Sequence, residues 1–143
     1  VALRQVTVDL KYWHFDQNNS GGKFVVDEKS GIGHEVFIEA TSIDDACLRA
    51  EGIGIYFNGC SERRDCSCCG DRWYRPWQEG KEKPLHYDKP LNKLKADSFF
   101  HSDIFIHRFN GDIIHMKCNK NNEFDIFKNQ KPCPDALKEI YDE

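Results

Sequence analysis

The chain has 143 residues, the size of one ordinary domain, with 20 basic and 24 acidic side chains and a formal net charge of −4. Charged residues make up 31% and no apolar run approaches the ~20 residues of a spanning helix, which argues against a membrane span. The 13% aromatic content argues against disorder, and the acidic balance argues against a protein that grips duplex nucleic acid.

Seven cysteines are many for this length, and the number is odd. A secreted disulfide scaffold would show an even count behind a signal peptide, and Val1-Ala2-Leu3-Arg4-Gln5 does not read as one. Reduced thiols in a cytosolic setting are the expectation.

In chain order, Val6, Val8, Leu10 and Tyr12 alternate with polar neighbours, predicting a strand from about Val6 to Asp16. Gln17 to Gly22 reads as a turn, from which Lys23 to Asp27 returns as a short strand to make a hairpin. After a loop at Ser30 to Gly33, Glu35 to Ala40 is a third strand. Ser42 then caps a helix, with Asp45 completing a capping box, Ile43, Ala46, Cys47 and Ala50 forming one apolar stripe, and Gly52 as its end. Ile53 to Phe57 is a strand or a tight connector.

From Cys60 to about Pro90 the periodic pattern gives way to cysteines, arginines and three prolines, an irregular insertion. Regularity returns over Ser98 to Cys118, where Asn110-Gly111 between two apolar runs predicts a two-residue hairpin turn. That turn pairs Phe105 with Met116 and His107 with Ile114, with Phe109 on their face and Ile106 opposite His115. Pro134 opens a last short helix that buries Leu137, Ile140 and Tyr141. The sum is a single α+β domain over residues 1–143: an antiparallel sheet of about five strands, one docked helix, the insertion at 60–90 and a short C-terminal helix.

Cys66-Ser67-Cys68-Cys69-Gly70 is the sharpest local motif. Cys66 and Cys69 have the C-x-x-C spacing that brings two thiolates to one tetrahedral zinc. Cys68 or Cys60 is the third ligand, and Cys118, Cys133 or a distant histidine the fourth. With no second C-x-x-C, a thiol-rich loop without metal competes with this reading. Four of the seven arginines fall between Arg63 and Arg75, among Trp73, Tyr74 and Trp77. Guanidinium groups suit phosphate oxygens and aromatic faces stack on bases. The interleaved Glu62, Asp65 and Asp71 favour a small nucleotide or an acidic protein surface over a long polyanion.

The Asn18, Asn19, Ser20 turn offers backbone amides to an anion, although it lacks the lysine and helix of a P-loop. His14, between two aromatics, is the best pocket histidine, whereas His107 reads as a hydrogen-bonded core residue. The ligand-binding candidates are therefore His14, Asn18, Asn19, Ser20, Arg64, Arg72, Trp73 and Arg75, with Cys66, Cys68 and Cys69 for zinc. No nucleophile or acid–base motif stands out.

The stretch His14 to Gly22 (HFDQNNSGG), with Phe37 to Ala40, Ile55 to Phe57 and Cys66 to Trp73 (CSCCGDRW), resembles a family of small tailed-bacteriophage proteins of unassigned function, over residues 11–77. The first ten residues read as an extension to that family, and Cys60, Cys118 and Cys133 are not among its features. The resemblance implies a non-catalytic accessory protein of the host cytoplasm, one that sequesters a nucleotide signal or blocks a host protein as an anti-defence factor. A metal- or Cys/His-dependent hydrolase acting on a nucleotide and a virion structural component are the alternatives, and a homo-oligomer fits any of the three.

Overall fold

In the computed structural model the described residues are 9–96 and 103–142. Residues 6–8 of the expected first strand, and 98–102 at the start of the expected hairpin region, lie outside them. The chain runs β1 (Lys11–Asp16), β2 (Glu35–Ala40), α1 (Ile43–Ile53), β3 (Leu85–His86), β4 (Lys89–Pro90), β5 (Asp103–His107), β6 (Ile113–Cys118), β7 (Phe124–Lys128), β8 (Lys131–Pro132) and α2 (Lys138–Tyr141). Six strands form one sheet in the order β1-β2-β5-β6-β7-β8, and β3 and β4 pair separately. The expected α+β architecture is present, with one parallel pairing, β2 to β5, bridged by α1 and the long insertion.

Strand alternation splits the core in two. Trp13 and Phe15 pair with Ile38 and Val36 on one face, where Ala46, Cys47 and Ala50 of α1 and Trp73 of the insertion complete a buried cluster. Tyr12 and Phe37 face the other way, onto Leu91, Ile104, Ile106, Ile114, Met116, Leu137 and Ile140. Fully burying each such side chain contributes about 1.5–3 kcal/mol. Both faces are therefore covered, α1 and the insertion on one and the C-terminal segment on the other.

The α1 cap forms as expected: the Ser42 hydroxyl accepts from the Asp45 amide at 3.1 Å. The Asp45 carboxylate reaches back one residue further than a capping box requires, to the Thr41 amide at 2.9 Å. Gly52 lies inside the helix, and the left-handed end is Gly54 at φ 113°, whose amide bonds the Ala50 and Glu51 carbonyls.

Three local expectations are corrected. Lys23 to Asp27 is not a strand, because the Gln17 side-chain amide takes both backbone groups of Val25, at 2.7 and 2.9 Å, as a neighbouring strand would. The β5–β6 connection has three residues, since Arg108 pairs with Asp112 and only Gly111 (φ 102°) is left-handed. Phe105 is thus opposite His115, and His107 opposite Ile113, with Ile104, Ile106, Ile114 and Met116 sharing the other face. The polar stretch after Cys118 leads into an unforeseen hairpin, β7–β8, closed by Asn129 and Gln130 with φ 51° and 67°. Within β5, His107 is the expected core histidine, its Nε2 2.7 Å from the Gly31 carbonyl.

Candidate functional site

Antiparallel register sets Asp16, at the end of β1, directly opposite Glu35, at the start of β2, and His14 opposite Phe37. All four point to the face away from α1. The two-residue turn between β3 and β4 delivers the remaining groups. Tyr87 and Asp88 both occupy the left-handed region, at φ 48° and 68°, as a type I′ turn requires. That conformation is unusual for a bulky side chain, and such backbone positions cluster at functional sites.

Glu35 has no solvent-exposed surface. One of its carboxylate oxygens hydrogen-bonds His14 Nε2, and the other lies 3.2 Å from His86 Nε2. The Tyr87 hydroxyl donates to Asp16 Oδ2 at 2.9 Å. The surrounding protein, and then the charge of Glu35, hold the Asp16 carboxyl above its ordinary value although its side chain reaches solvent. Burial, followed by the bond to Asp16, pushes the Tyr87 hydroxyl up to about 12. His14, Asp16 and Glu35 each offer a ligand atom within 4.8 Å of the others.

Of this cluster His14, Asp16 and Tyr87 line an open cavity of about 310 Å³, with Glu35 and His86 outside its lining. Its walls include Asn18, Tyr74, Arg75, Trp77 and Tyr87. Trp77 is 83% exposed, Tyr87 57% and Tyr74 54%, so three aromatic rings stand at the rim without packing partners enough to bury them. Arg75 reaches Asp44 at 2.8 Å, but both side chains are largely in solvent and the pair is worth little.

The insertion beside the cavity is held by polar clamps. Buried Arg72 donates to Gln17 Oε1 and to the carbonyls of Lys23 and Ser20, at 2.8–3.0 Å. The buried Asp65 carboxylate accepts from the Arg72 amide at 2.8 Å and from the Tyr56 hydroxyl at 2.6 Å. Asn18 donates to the carbonyls of Cys69 and Asp71, and the Ser20 hydroxyl accepts from the Cys66 amide. These bonds fix the turn after β1 to the cysteine loop.

Cys66, Cys68 and Cys69 gather their sulfurs within 4.8 Å. Cys60 is not in that group; its thiol donates to the Cys66 carbonyl at 3.4 Å. Neither Cys118 nor Cys133 joins it. Three soft donors suit zinc or another thiophilic metal and leave a fourth position for a group from outside the loop. A further ionisable cluster lies on the α1 side of the sheet. There His115, stacked on Phe105 at 4.1 Å, places Nε2 2.6 Å from Asp103 Oδ1 beneath a cavity of about 450 Å³.

Of the sequence candidates, His14, Asn18 and Arg75 line the 310 Å³ cavity. Ser20 and Arg72 are buried in the clamp, Trp73 is 2% exposed in the α1-side core, and Asn19 is exposed. Arg64 stacks on Tyr56 at 3.6 Å, away from the cavity. The amides of Asn18, Ser20 and Gly22 are taken by carbonyls of Arg72, Asn18 and Asn19, which removes them from any anion-binding role. Asp16, Glu35, His86 and Tyr87 were not anticipated. For Asp16 and Glu35 the signal was the strand register that sets one against the other; His86 and Tyr87, on the β3–β4 hairpin, left none.

Neither a curated protein nor a solved structure matches the chain. A family model does, over residues 10–124, which takes in β1, β2, α1, the whole insertion and the β3–β4 hairpin and therefore every residue of the cavity. The chain belongs to the family described as Domain of unknown function (DUF7296).

Proposed function

We propose that the cavity beneath Trp77 binds a small ring-bearing anion of the nucleotide class. The observation that carries this reading is the convergence of three exposed aromatic rings and Arg75 on one cavity with a polar, ionisable wall. Exposed Trp and Tyr faces stack on bases, Arg75 suits a phosphate, and 310 Å³ is at the small end of ligand pockets. The left-handed Tyr87 turn supports it too, since strain at a pocket lip persists where surrounding structure enforces it. The resemblance to small tailed-phage proteins supplies a setting, an accessory protein that sequesters a nucleotide signal in the host cytoplasm without altering it. In this reading a zinc ion on Cys66, Cys68 and Cys69 staples the insertion and plays no part in the chemistry.

One observation favours the hydrolase alternative: a buried carboxylate between two imidazoles is equipment for activating water. Calorimetry with cyclic, linear and ADP-ribose-type nucleotides, in the presence of divalent cations, tests both. Binding that is lost in Trp77→Ala, with the nucleotide recovered intact, supports sequestration. Recovery of a cleaved product supports the hydrolase, and no heat from any member of the panel overturns the pocket reading.

A further inference from the structure

We propose that His14 and Asp16 in the wall of this cavity, with Glu35 buried behind them, form a divalent transition-metal site that His86 completes. It is separate from the thiol cluster. The inference deepens the pocket reading and rests on it only for what binds above the metal.

The donors are two imidazole Nε2 atoms and two carboxylates. His14, Asp16 and Glu35 lie within a single 4.8 Å group; His86 is outside that group, with its Nε2 3.2 Å from Glu35 Oε1. A mixed nitrogen and oxygen set suits zinc, iron, manganese or nickel, whereas an all-oxygen set would suit magnesium or calcium. Glu35 is fully buried with Asp16 opposite it, so two carboxylates share one small volume. Like charges at that proximity oppose one another, and a divalent cation between them turns the opposition into attraction.

The surroundings hold these donors as outer groups hold metal ligands elsewhere. Phe37 fixes the plane of the His14 ring at 4.3 Å and 8° from parallel, and the Tyr87 hydroxyl holds Asp16. Asp16, the most exposed of the four, faces the cavity and leaves that side open for water or a ligand oxygen.

The cation also resolves the electrostatics of the pocket. A phosphate entering it meets the Asp16 carboxylate in the wall, with that of Glu35 buried behind it, and Arg75 as the one Lys or Arg of the lining. Metal bound to those carboxylates reverses the sign of that wall, so an anion is attracted where it would otherwise be repelled.

The test uses the full chain with Cys66, Cys68 and Cys69 all changed to serine, which removes the competing thiols. Titration with Zn²⁺, Mn²⁺ and Co²⁺ by calorimetry should give one site, and bound Co²⁺ should lack a thiolate charge-transfer band. Adding His86→Gln, His14→Gln or Asp16→Asn should weaken that site, the histidine changes by about a hundredfold or more. Circular dichroism on each variant confirms the fold, and His86, on a surface hairpin, is the variant least coupled to the core. No cation bound by the serine variant, or equal affinity in well-folded His86→Gln and His14→Gln, overturns the site. One metal bound with no nucleotide response upholds the site and fails the pocket reading. Nucleotide binding unchanged by EDTA upholds the pocket and overturns the metal's part in holding the anion.

Discussion

His14 lies flat on Phe37, ring centroids 4.3 Å apart and planes 8° from parallel, because the two are direct cross-strand partners. The stack removes the imidazole's freedom to rotate and aims Nε2 at Glu35. A ligand or metal bound there meets a histidine already in position, so little ordering entropy is lost at that side chain on binding.

Phe37→Leu isolates that effect. Leucine keeps the position apolar, and the loss of ring volume should cost about 1–2 kcal/mol of stability by urea denaturation. Divalent-cation affinity should fall about tenfold while the fold persists, since the imidazole is released but not removed. Unchanged affinity alongside the expected stability loss would show that the stack serves packing alone.

Arg72 is the second structural relationship to test. It satisfies carbonyls of Ser20 and Lys23 and the Gln17 side chain, all on the turn after β1, while its own amide is held by Asp65 in the insertion. Arg72→Lys keeps the charge but loses the fork that reaches these acceptors at once. The expected loss is about 2–4 kcal/mol by urea denaturation, with the buried acceptors left unpaired. A lysine variant within about 0.5 kcal/mol of the parent would mean that the clamp contributes little.

How far the sequence alone reaches can be judged from the same residues. Helix α1 is readable in advance because Ser42 and the Ala46–Cys47–Ala50 stripe are local signals. The β5–β6 register slips by one because Asn110-Gly111 has the composition of a two-residue turn, while only Gly111 adopts a left-handed φ there. That slip exchanges the faces of Phe105 and Ile104. Hairpin β7–β8 escapes notice since Asn129-Gln130 lacks a glycine. At the site, His14 between two aromatics points to the pocket, while Asp16 carries no signal of its own. Glu35 reads only as the polar start of an apolar strand, and His86 and Tyr87 sit 51 positions or more from their partners. Only tertiary register brings them together.

Asp16 makes a prediction about pH. Its folded value lies above 3.8, through the surrounding protein and then Glu35. Between 3.8 and the folded value the native state binds the proton more tightly than the unfolded chain does. The stability Asp16 contributes is therefore fully present below 3.8 and lost as pH rises through the folded value. At neutral pH its ionised form is a burden on the metal-free fold. Asp16→Asn, which can still accept from Tyr87, should raise the urea midpoint of EDTA-treated protein at pH 7. The gain should shrink as pH falls toward 3.8. With saturating divalent cation at pH 7, the order should reverse in favour of the parent. A variant less stable than the parent in EDTA at pH 7 would contradict this assignment.

The thiols differ enough to be told apart by alkylation. Hydrogen bonds from the Cys68 thiol, then from the Cys68 amide, hold Cys66 below the ordinary thiol value. The same contact pushes Cys68 up to about 11, and Asp71 does likewise for Cys60. Burial raises Cys47 within the α1 stripe and also shields it. Since the thiolate is the reactive form, limiting iodoacetamide at pH 7.5 should label Cys66 first in metal-free protein, as read by peptide mass mapping. Cys68→Ala removes the first of the bonds that stabilise the Cys66 thiolate and should slow its labelling severalfold. Saturating zinc should protect Cys66, Cys68 and Cys69 together while leaving the rate at Cys60 unchanged, because Cys60 lies outside the group of three sulfurs. Protection of Cys60 in parallel would instead make it the fourth ligand, drawn in by the metal. Labelling that begins at Cys60 or Cys47 without metal would remove the basis for treating Cys66 as the activated thiol.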